Sequence, residues 1–218
     1  SGKSHLGVKL AQWKQSDVVS ADSMQIYCEM SIGTAKPTPA EQEGVVHHLI
    51  DCVSLSQPFS VADYVRLAQE CIRQLHEQGK IPVLVGGTGL YVRSLLQNLS
   101  FSEQDRDDAL RLALRQKAEQ QGAEALVEEL RSFDPESAQR IDPCNLPRLI
   151  RAIEIYRTTG VTMTEQLARS RQTPSPYRVC MIGLDYQDRS ILYDRINRRV
   201  DQMMERGLLD EARRVLAQ

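Results

Sequence analysis

Ser1-Gly2-Lys3-Ser4 matches the second half of the phosphate-binding pattern G-x-x-x-x-G-K-S/T. In a complete loop of that kind, backbone N–H groups cradle phosphate oxygens, the lysine neutralises them and the hydroxyl ligates Mg²⁺. Lys3 supplies the charge here, Ser4 the metal-binding oxygen, and the first amides of the following helix the rest of an anion site. Two further polar residues stand at predicted strand ends, Asp22 and Thr88. A carboxylate at Asp22 can act as a general base within reach of bound phosphates. A phosphoryl-transferring NTPase would carry another acid at the end of a buried strand. The strongest later strand ends instead in Gly86-Gly87-Thr88, without one. Each signal also has an ordinary reading: G-K-S opens many helices, and an aspartate after a strand often caps a turn.

The elements that must position these residues follow from periodicity. Leu6, Leu10 and Trp13 recur at helical spacing after the phosphate pattern. Asp17-Val18-Val19-Ser20 reads as a short buried strand that delivers Asp22 to its carboxyl end, the edge of an open α/β sheet where ligands sit. Ser60 caps a helix to about Gln78, closed by Gly79. Ile81-Pro82-Val83-Leu84-Val85 is a second buried strand, turned by Gly86-Gly87-Thr88-Gly89 into a helix from Leu90. That order predicts an α/β fold: a P-loop NTPase-like parallel sheet with flanking helices.

From about 103 to 172 the pattern is helical only, with helices at Asp108–Gln121, Ala123–Ser132, Asn145–Thr159 and Thr162–Arg169. Val179–Leu184 then resumes strand character, and Asp188 caps a helix to about Arg206, followed by one at Leu208–Ala217. The expected domains are a catalytic core of residues 1–102 and 173–218 and an inserted all-helical domain of residues 103–172, with linkers near Phe101 and Gln172. The feeding strand of the phosphate pattern is expected before Ser1, and the last helix reaches Gln218 without a stop signal, so an extension past both ends is expected.

Composition narrows the function classes. The 218 residues are 41% hydrophobic and 26% charged, as in a soluble enzyme, with no apolar run of the ~20 residues that a membrane span needs. Five scattered cysteines, never spaced C-x-x-C, argue against a disulfide framework or a zinc site and fit a reducing cytoplasm. The formal net charge is only −2, so nucleic-acid contact requires a local basic surface. One candidate is the segment from Arg140 to Arg178, where seven arginines against three acids leave +4. Solvated helical charge is the plainer reading of that run.

Read together, the motifs have a more specific match. Ala21-Asp22-Ser23-Met24-Gln25-Ile26-Tyr27, Ile32-Gly33-Thr34-Ala35-Lys36-Pro37, Gly86-Gly87-Thr88-Gly89-Leu90-Tyr91 and the stretch from Asp142-Pro143 through Arg148-Leu149-Ile150-Arg151-Ala152-Ile153-Glu154 resemble, in order, the tRNA dimethylallyltransferase family. The resemblance covers nearly the whole chain. It implies transfer of a five-carbon prenyl group from dimethylallyl diphosphate to N6 of adenosine 37 beside the tRNA anticodon, with Mg²⁺ as the metal. It also implies that Ser1, Gly2, Lys3 and Ser4 hold the donor's diphosphate, that Asp22 is the general base, that Arg199 binds diphosphate, and that Thr88 lies near the reacting groups and the tRNA. Its tRNA contacts fall on Asp22, Ser23, Met24, Gln25, Thr88, Arg111, Pro147, Arg148, Leu149, Ile150 and Arg151. The expected enzyme acts as a monomer and does not engage a membrane. His47 and His48 are read as structural, and Cys144 as inert. Two rivals stay open: an adenylate dimethylallyltransferase, disfavoured by the basic helical extension, and a small P-loop kinase, for which Lys3, Ser4 and Asp22 would suffice.

Overall fold

The computed structural model describes residues 2–99, 107–170 and 173–217, so Ser1 and the linkers expected near Phe101 and Gln172 lie outside the described residues. The chain divides into two compact units, residues 1–97 with 177–218 and residues 98–176.

In the first unit, helix α1 (Lys3–Trp13) leads into strand β1 (Val18–Ala21). A short helix α2 (Pro39–Gln42) precedes β2 (His47–His48), and helix α3 (Val61–Glu77) precedes β3 (Val83–Gly86) and α4 (Gly89–Leu96). The strands form a parallel sheet in the order β2-β1-β3, with Val18 opposite His47 and Val83, and Ala21 opposite Gly86. All four residues of the central β1 are buried, which explains its unbroken Val-Val-Ser-Ala sequence. Alternation along it builds two cores. Val18 joins Val8, Ala11 and Val45 on the α1 face, and Val19 joins Cys71 and Leu75 of α3 on the other.

Capping explains where the helices begin. Ser60 accepts the Asp63 N–H at 3.2 Å while Asp63 accepts the Ser60 N–H at 3.0 Å, a reciprocal box that starts α3. Thr38 and Glu41 form the same box on α2, in a stretch that the sequence presents as a polar loop. At the opposite edge of the sheet, Asp17 accepts from Lys80 Nζ and pairs with His48 Nε2, each at 2.8 Å, tying the starts of all three strands together. Burial alone would raise the Asp17 pKa, but those two partners hold it below the usual carboxylate range.

The second unit is all helix: α5 (Asp108–Gln121), α6 (Glu124–Arg131), α7 (Pro135–Arg140), α8 (Leu146–Thr159) and α9 (Met163–Ser170). Leu114, Leu126, Leu130, Leu149 and Ile153 form its core, flanked by Phe133 stacked on Tyr156 at 3.9 Å. Helix α7 is not evident from periodicity. Asp134 caps it by accepting the Ser137 N–H at 3.0 Å, and Pro135 occupies its first turn.

The last part of the chain belongs to the first unit again and ends in two helices, α10 (Arg189–Glu205) and α11 (Leu208–Leu216). The strand expected before them is absent among the described residues. Val179–Leu184 is irregular, and Val179, Met181, Ile182 and Leu184 are all exposed. Met181 lines a cavity of about 410 Å³ together with Gly86 and Gly87, and the segment makes no ladder with β3. An apolar run becomes a strand only with a neighbour to take its backbone hydrogen bonds.

The pairing of β1 with β3 sets a steric test. A Cβ on Gly86 would lie 2.1 Å from the Ala21 carbonyl oxygen, a backbone atom that cannot swing away. Gly86→Ala is expected to destabilise the chain by about 3 kcal/mol or more in urea titrations, the upper end of overpacking. Gly87→Ala, with open space around its Cβ, is expected to stay close to the parent. Equal behaviour of the two would refute this tight approach.

Candidate active site

Helix α1 begins without a side-chain cap. Gly2 takes a left-handed conformation (φ 82°), offers no side chain to cap the helix, and accepts the Leu6 N–H on its carbonyl at 3.1 Å. Lys3 and Ser4 are exposed at that terminus. Gly7 sits so close to Val85 that a Cβ would fall 2.4 Å from its Cγ2, while Ala11 packs with Val18 at the start of β1. Helix α1 therefore runs antiparallel to the strands and aims its N-terminus at the carboxyl edge of the sheet. The partial positive charge of that terminus and the Lys3 side chain suit an anion such as diphosphate.

The same edge carries Asp22 and Thr88. Ala21 and Gly86 are register partners, so the residues after them leave the sheet side by side. The Thr88 N–H donates to the Ala21 carbonyl at 3.1 Å. The Ser23 N–H donates to Thr88 Oγ1 at 2.9 Å, and that hydroxyl donates to Ser23 Oγ at 3.2 Å. Asp22 Oδ1 accepts the N–H groups of Met24 and Gln25 at 3.0 and 3.2 Å, which fixes the turn and leaves Oδ2 without a hydrogen bond among the described residues. Gln25 is half-buried, its Nε2 donating to the Thr34 and Ala35 carbonyls at 2.9 and 3.2 Å. Those two bonds hold the amide and leave its acceptor oxygen without a hydrogen bond among the described residues. Met24 is 49% exposed beside them, an apolar surface on which a base can stack.

No group of three or more His, Cys, Asp or Glu residues converges on a metal position among the described residues. The oxygen donor at the phosphate pattern is the exposed Ser4 hydroxyl. One hydroxyl, with phosphate oxygens and water completing the shell, fits a hard, octahedral cation carried in with its ligand. Arg199 is exposed on α10 of the same unit. All five cysteines are free thiols, and no described helix is long and apolar enough to cross a membrane.

The expected RNA residues of the helical unit separate into three kinds. Pro147 and Arg148 are both exposed at the start of α8, where Asn145 caps the helix by accepting the Arg148 N–H at 3.3 Å. Leu149 and Ile150 are buried in the helical core, a correction to their expected role: side chains so placed support the helix and cannot reach RNA. Arg111 and Arg151 converge on the buried Glu154, Arg111 with two bonds of 2.8 Å and Arg151 with one of 2.6 Å. Arg157 pairs with Glu129 and Arg140 with Glu136. Much of the basic run is therefore neutralised locally. Sequence reasoning overlooked Glu154, although an acid between Ile153 and Ile155 on a buried helix face already demands paired cations. It also overlooked Glu211, whose neighbours lie far away in the chain.

Comparison with known proteins identifies the family. The IPP transferase family pattern matches residues 25–218. The tRNA dimethylallyltransferase of Oceanobacillus iheyensis is 47% identical over 97% of this chain and 67% of its own length. That of Halalkalibacterium halodurans is 48% identical over 98% of the chain and 68% of its own length. Among solved structures, the tRNA isopentenylpyrophosphate transferase of Bacillus halodurans superimposes with a TM-score of 0.65 at 44% identity, covering 99% of this chain and 66% of that one. A eukaryotic dimethylallyltransferase acting on tRNA gives 0.79 at 28% identity, over 99% of this chain and 53% of that one. The chain thus spans about two thirds of the length of its bacterial relatives.

The buried Glu154 gives the arginine cluster a pH signature. Burial would raise its pKa, but hydrogen bonds from Arg111, Arg151 and the Asp107 N–H outweigh that and hold it at about 2. A depressed carboxylate contributes stability above its unfolded pKa and loses it as pH falls through the folded one. The stability gap between the parent and Glu154→Gln is therefore expected to be full above about pH 4.5 and to close towards pH 2 in urea titrations. A gap independent of pH would show that the carboxylate charge is not what holds the arginines.

Proposed function

This chain belongs to the IPP transferase family, and on that premise we propose that it carries the catalytic centre of a tRNA dimethylallyltransferase, moving the dimethylallyl group of dimethylallyl diphosphate to N6 of adenosine 37 beside the anticodon and releasing diphosphate. The observation that carries this reading is the joined edge at which Asp22, Ser23 and Thr88 meet while α1 aims its N-terminus the same way.

An adenine amino group is a weak nucleophile, because its lone pair is delocalised into the ring. Asp22 Oδ2, with no hydrogen bond from the described residues, accepts an N6 proton and raises electron density on nitrogen as the C1–oxygen bond of the donor breaks. Oδ1 is occupied by the Met24 and Gln25 amides, so the carboxylate cannot rotate away. Thr88 anchors the Ser23 backbone and so orients Asp22 against the acceptor. Gly2, Lys3, Ser4 and the amides of α1 receive the diphosphate, with Ser1 preceding them and Arg199 of α10 adding a second cation. Mg²⁺, held by Ser4 and the donor's phosphate oxygens, would supply charge neutralisation on the leaving group.

A flipped base is read by Ser23, by the acceptor oxygen of Gln25 and by the exposed Met24, and an anticodon loop presents such a base at little unstacking cost. Pro147 and Arg148 bring the N-terminus of α8 to the RNA backbone, while Arg111 and Arg151 contribute through the Glu154 cluster. The enzyme acts as a monomer in the cytoplasm, where free thiols persist.

Asp22→Asn is expected to lower turnover about 10²–10⁴-fold while the dissociation constant for an anticodon stem-loop changes less than about threefold. Nucleoside mass spectrometry with dimethylallyl diphosphate and Mg²⁺ reads the product, beside a parallel reaction on AMP. Undiminished turnover would remove Asp22 as the base. Mass gain on AMP and none on the stem-loop would make the acceptor a mononucleotide.

A further inference from the structure

We propose that Glu211 of α11 is a positioning residue for the RNA acceptor, acting at a distance by fixing the loop that orients Gln25; the inference rests on the transferase reading above. Glu211 is 4% exposed, and its carboxylate turns inward. Its hydrogen bonds come from three successive backbone amides: Ser31 at 2.9 Å, Ile32 at 2.8 and 3.1 Å, and Gly33 at 2.8 Å. A buried carboxylate is retained against its desolvation only when it is fully bonded, and here the bonds hold a loop. An amide in its place would offer one acceptor oxygen to three donors.

The held loop is stiff enough to pass the constraint on. The Ala35 N–H donates to the Ile32 carbonyl at 2.9 Å and the Lys36 N–H to the Ser31 carbonyl at 3.0 Å, closing overlapping turns. Lys36 Nζ donates to the Tyr27 carbonyl and pairs with Asp51. A Cβ on Gly33 would stand 3.3 Å from Leu208 Cδ1, so the loop lies directly against α11. Its far side presents the Thr34 and Ala35 carbonyls to Gln25 Nε2, and the Gln25 N–H in turn binds Asp22 Oδ1 at 3.2 Å. Glu211, the 31–36 loop, Gln25 and the Asp22 turn therefore form one continuous hydrogen-bonded path within the first unit. Release of the loop frees the Gln25 amide to rotate, which weakens reading of the acceptor and leaves the phosphate side untouched.

Steady-state kinetics of Glu211→Gln, Gln25→Ala and the double variant on an anticodon stem-loop test this. Glu211→Gln is expected to raise the stem-loop KM roughly tenfold, with kcat and the KM for dimethylallyl diphosphate changing less than about twofold. In the Gln25→Ala background the same substitution is expected to add less than about twofold, because both act on one interaction. Additive effects, or a fall in kcat with no change in KM, would overturn the proposal. Hydrogen exchange on the unsubstituted chain guards against a variant that does not fold. The Ser31, Ile32 and Gly33 amides are expected to exchange as slowly as those of α11, and rapid exchange would overturn the clamp. An unsubstituted chain inactive on the stem-loop sinks the transferase reading and this inference with it; an active one indistinguishable from Glu211→Gln sinks this inference alone.

Discussion

The close approach of two parallel strands at their carboxyl ends governs the geometry of the candidate site. With Ala21 opposite Gly86 and no space for a side chain between them, the backbone beyond each strand emerges in contact with the other. Thr88 then binds both the Ala21 carbonyl and the Ser23 amide, and Asp22 is held between those two anchors. The N-terminus of α1 is brought to the same edge by a second close contact, Gly7 on Val85. Two glycines thus set the spacing of Asp22 and the start of α1, because a methyl group at either would push these layers apart.

Buried acids organise the rest, each by a different kind of partner. Asp17 collects a lysine and a histidine where the strands start, Glu154 collects two arginines inside the helical unit, and Glu211 collects backbone amides. A carboxylate removed from water must find several donors at once, and it is those demands that immobilise loops and long side chains. The basic segment of the helical unit is accordingly less of an open cationic surface than its +4 charge implies. Among its described arginines, Arg140, Arg151 and Arg157 are engaged in ion pairs, and Arg148 stands out at an exposed helix start.

Local signals were readable wherever the chain's own neighbours decide the structure. Apolar periodicity, Ser60 and Asn145 as caps, and the buried runs around Val18 and Val83 foretell the parallel α/β arrangement and most helix limits within a residue or two. Helix α7 escaped because six residues carry too little periodicity, and its start depends on Asp134. Val179–Leu184 misled for the converse reason: β-type composition describes a segment's fitness for a sheet, and the ladder itself must come from a neighbour. Leu149 and Ile150 share a motif with Arg148 and Arg151, yet successive residues on a helix point in different directions, so a motif mixes core with surface.

By itself the sequence determined the chemistry on offer and the family: a lysine and a serine at a helix start, an aspartate and a threonine at strand ends, and an ordered set of motifs around them. These are properties of residue type and short spacing, which survive without coordinates. Only the tertiary structure decided that Thr88 grips Ser23, that Gln25 shows its oxygen, that Arg111 and Arg151 answer to Glu154, and that Glu211 holds a loop some 180 positions earlier. The physical reason is common to all four. Hydrogen bonds and ion pairs act over about 3 Å in space, whatever the separation along the chain, and packing decides which distant groups come that close.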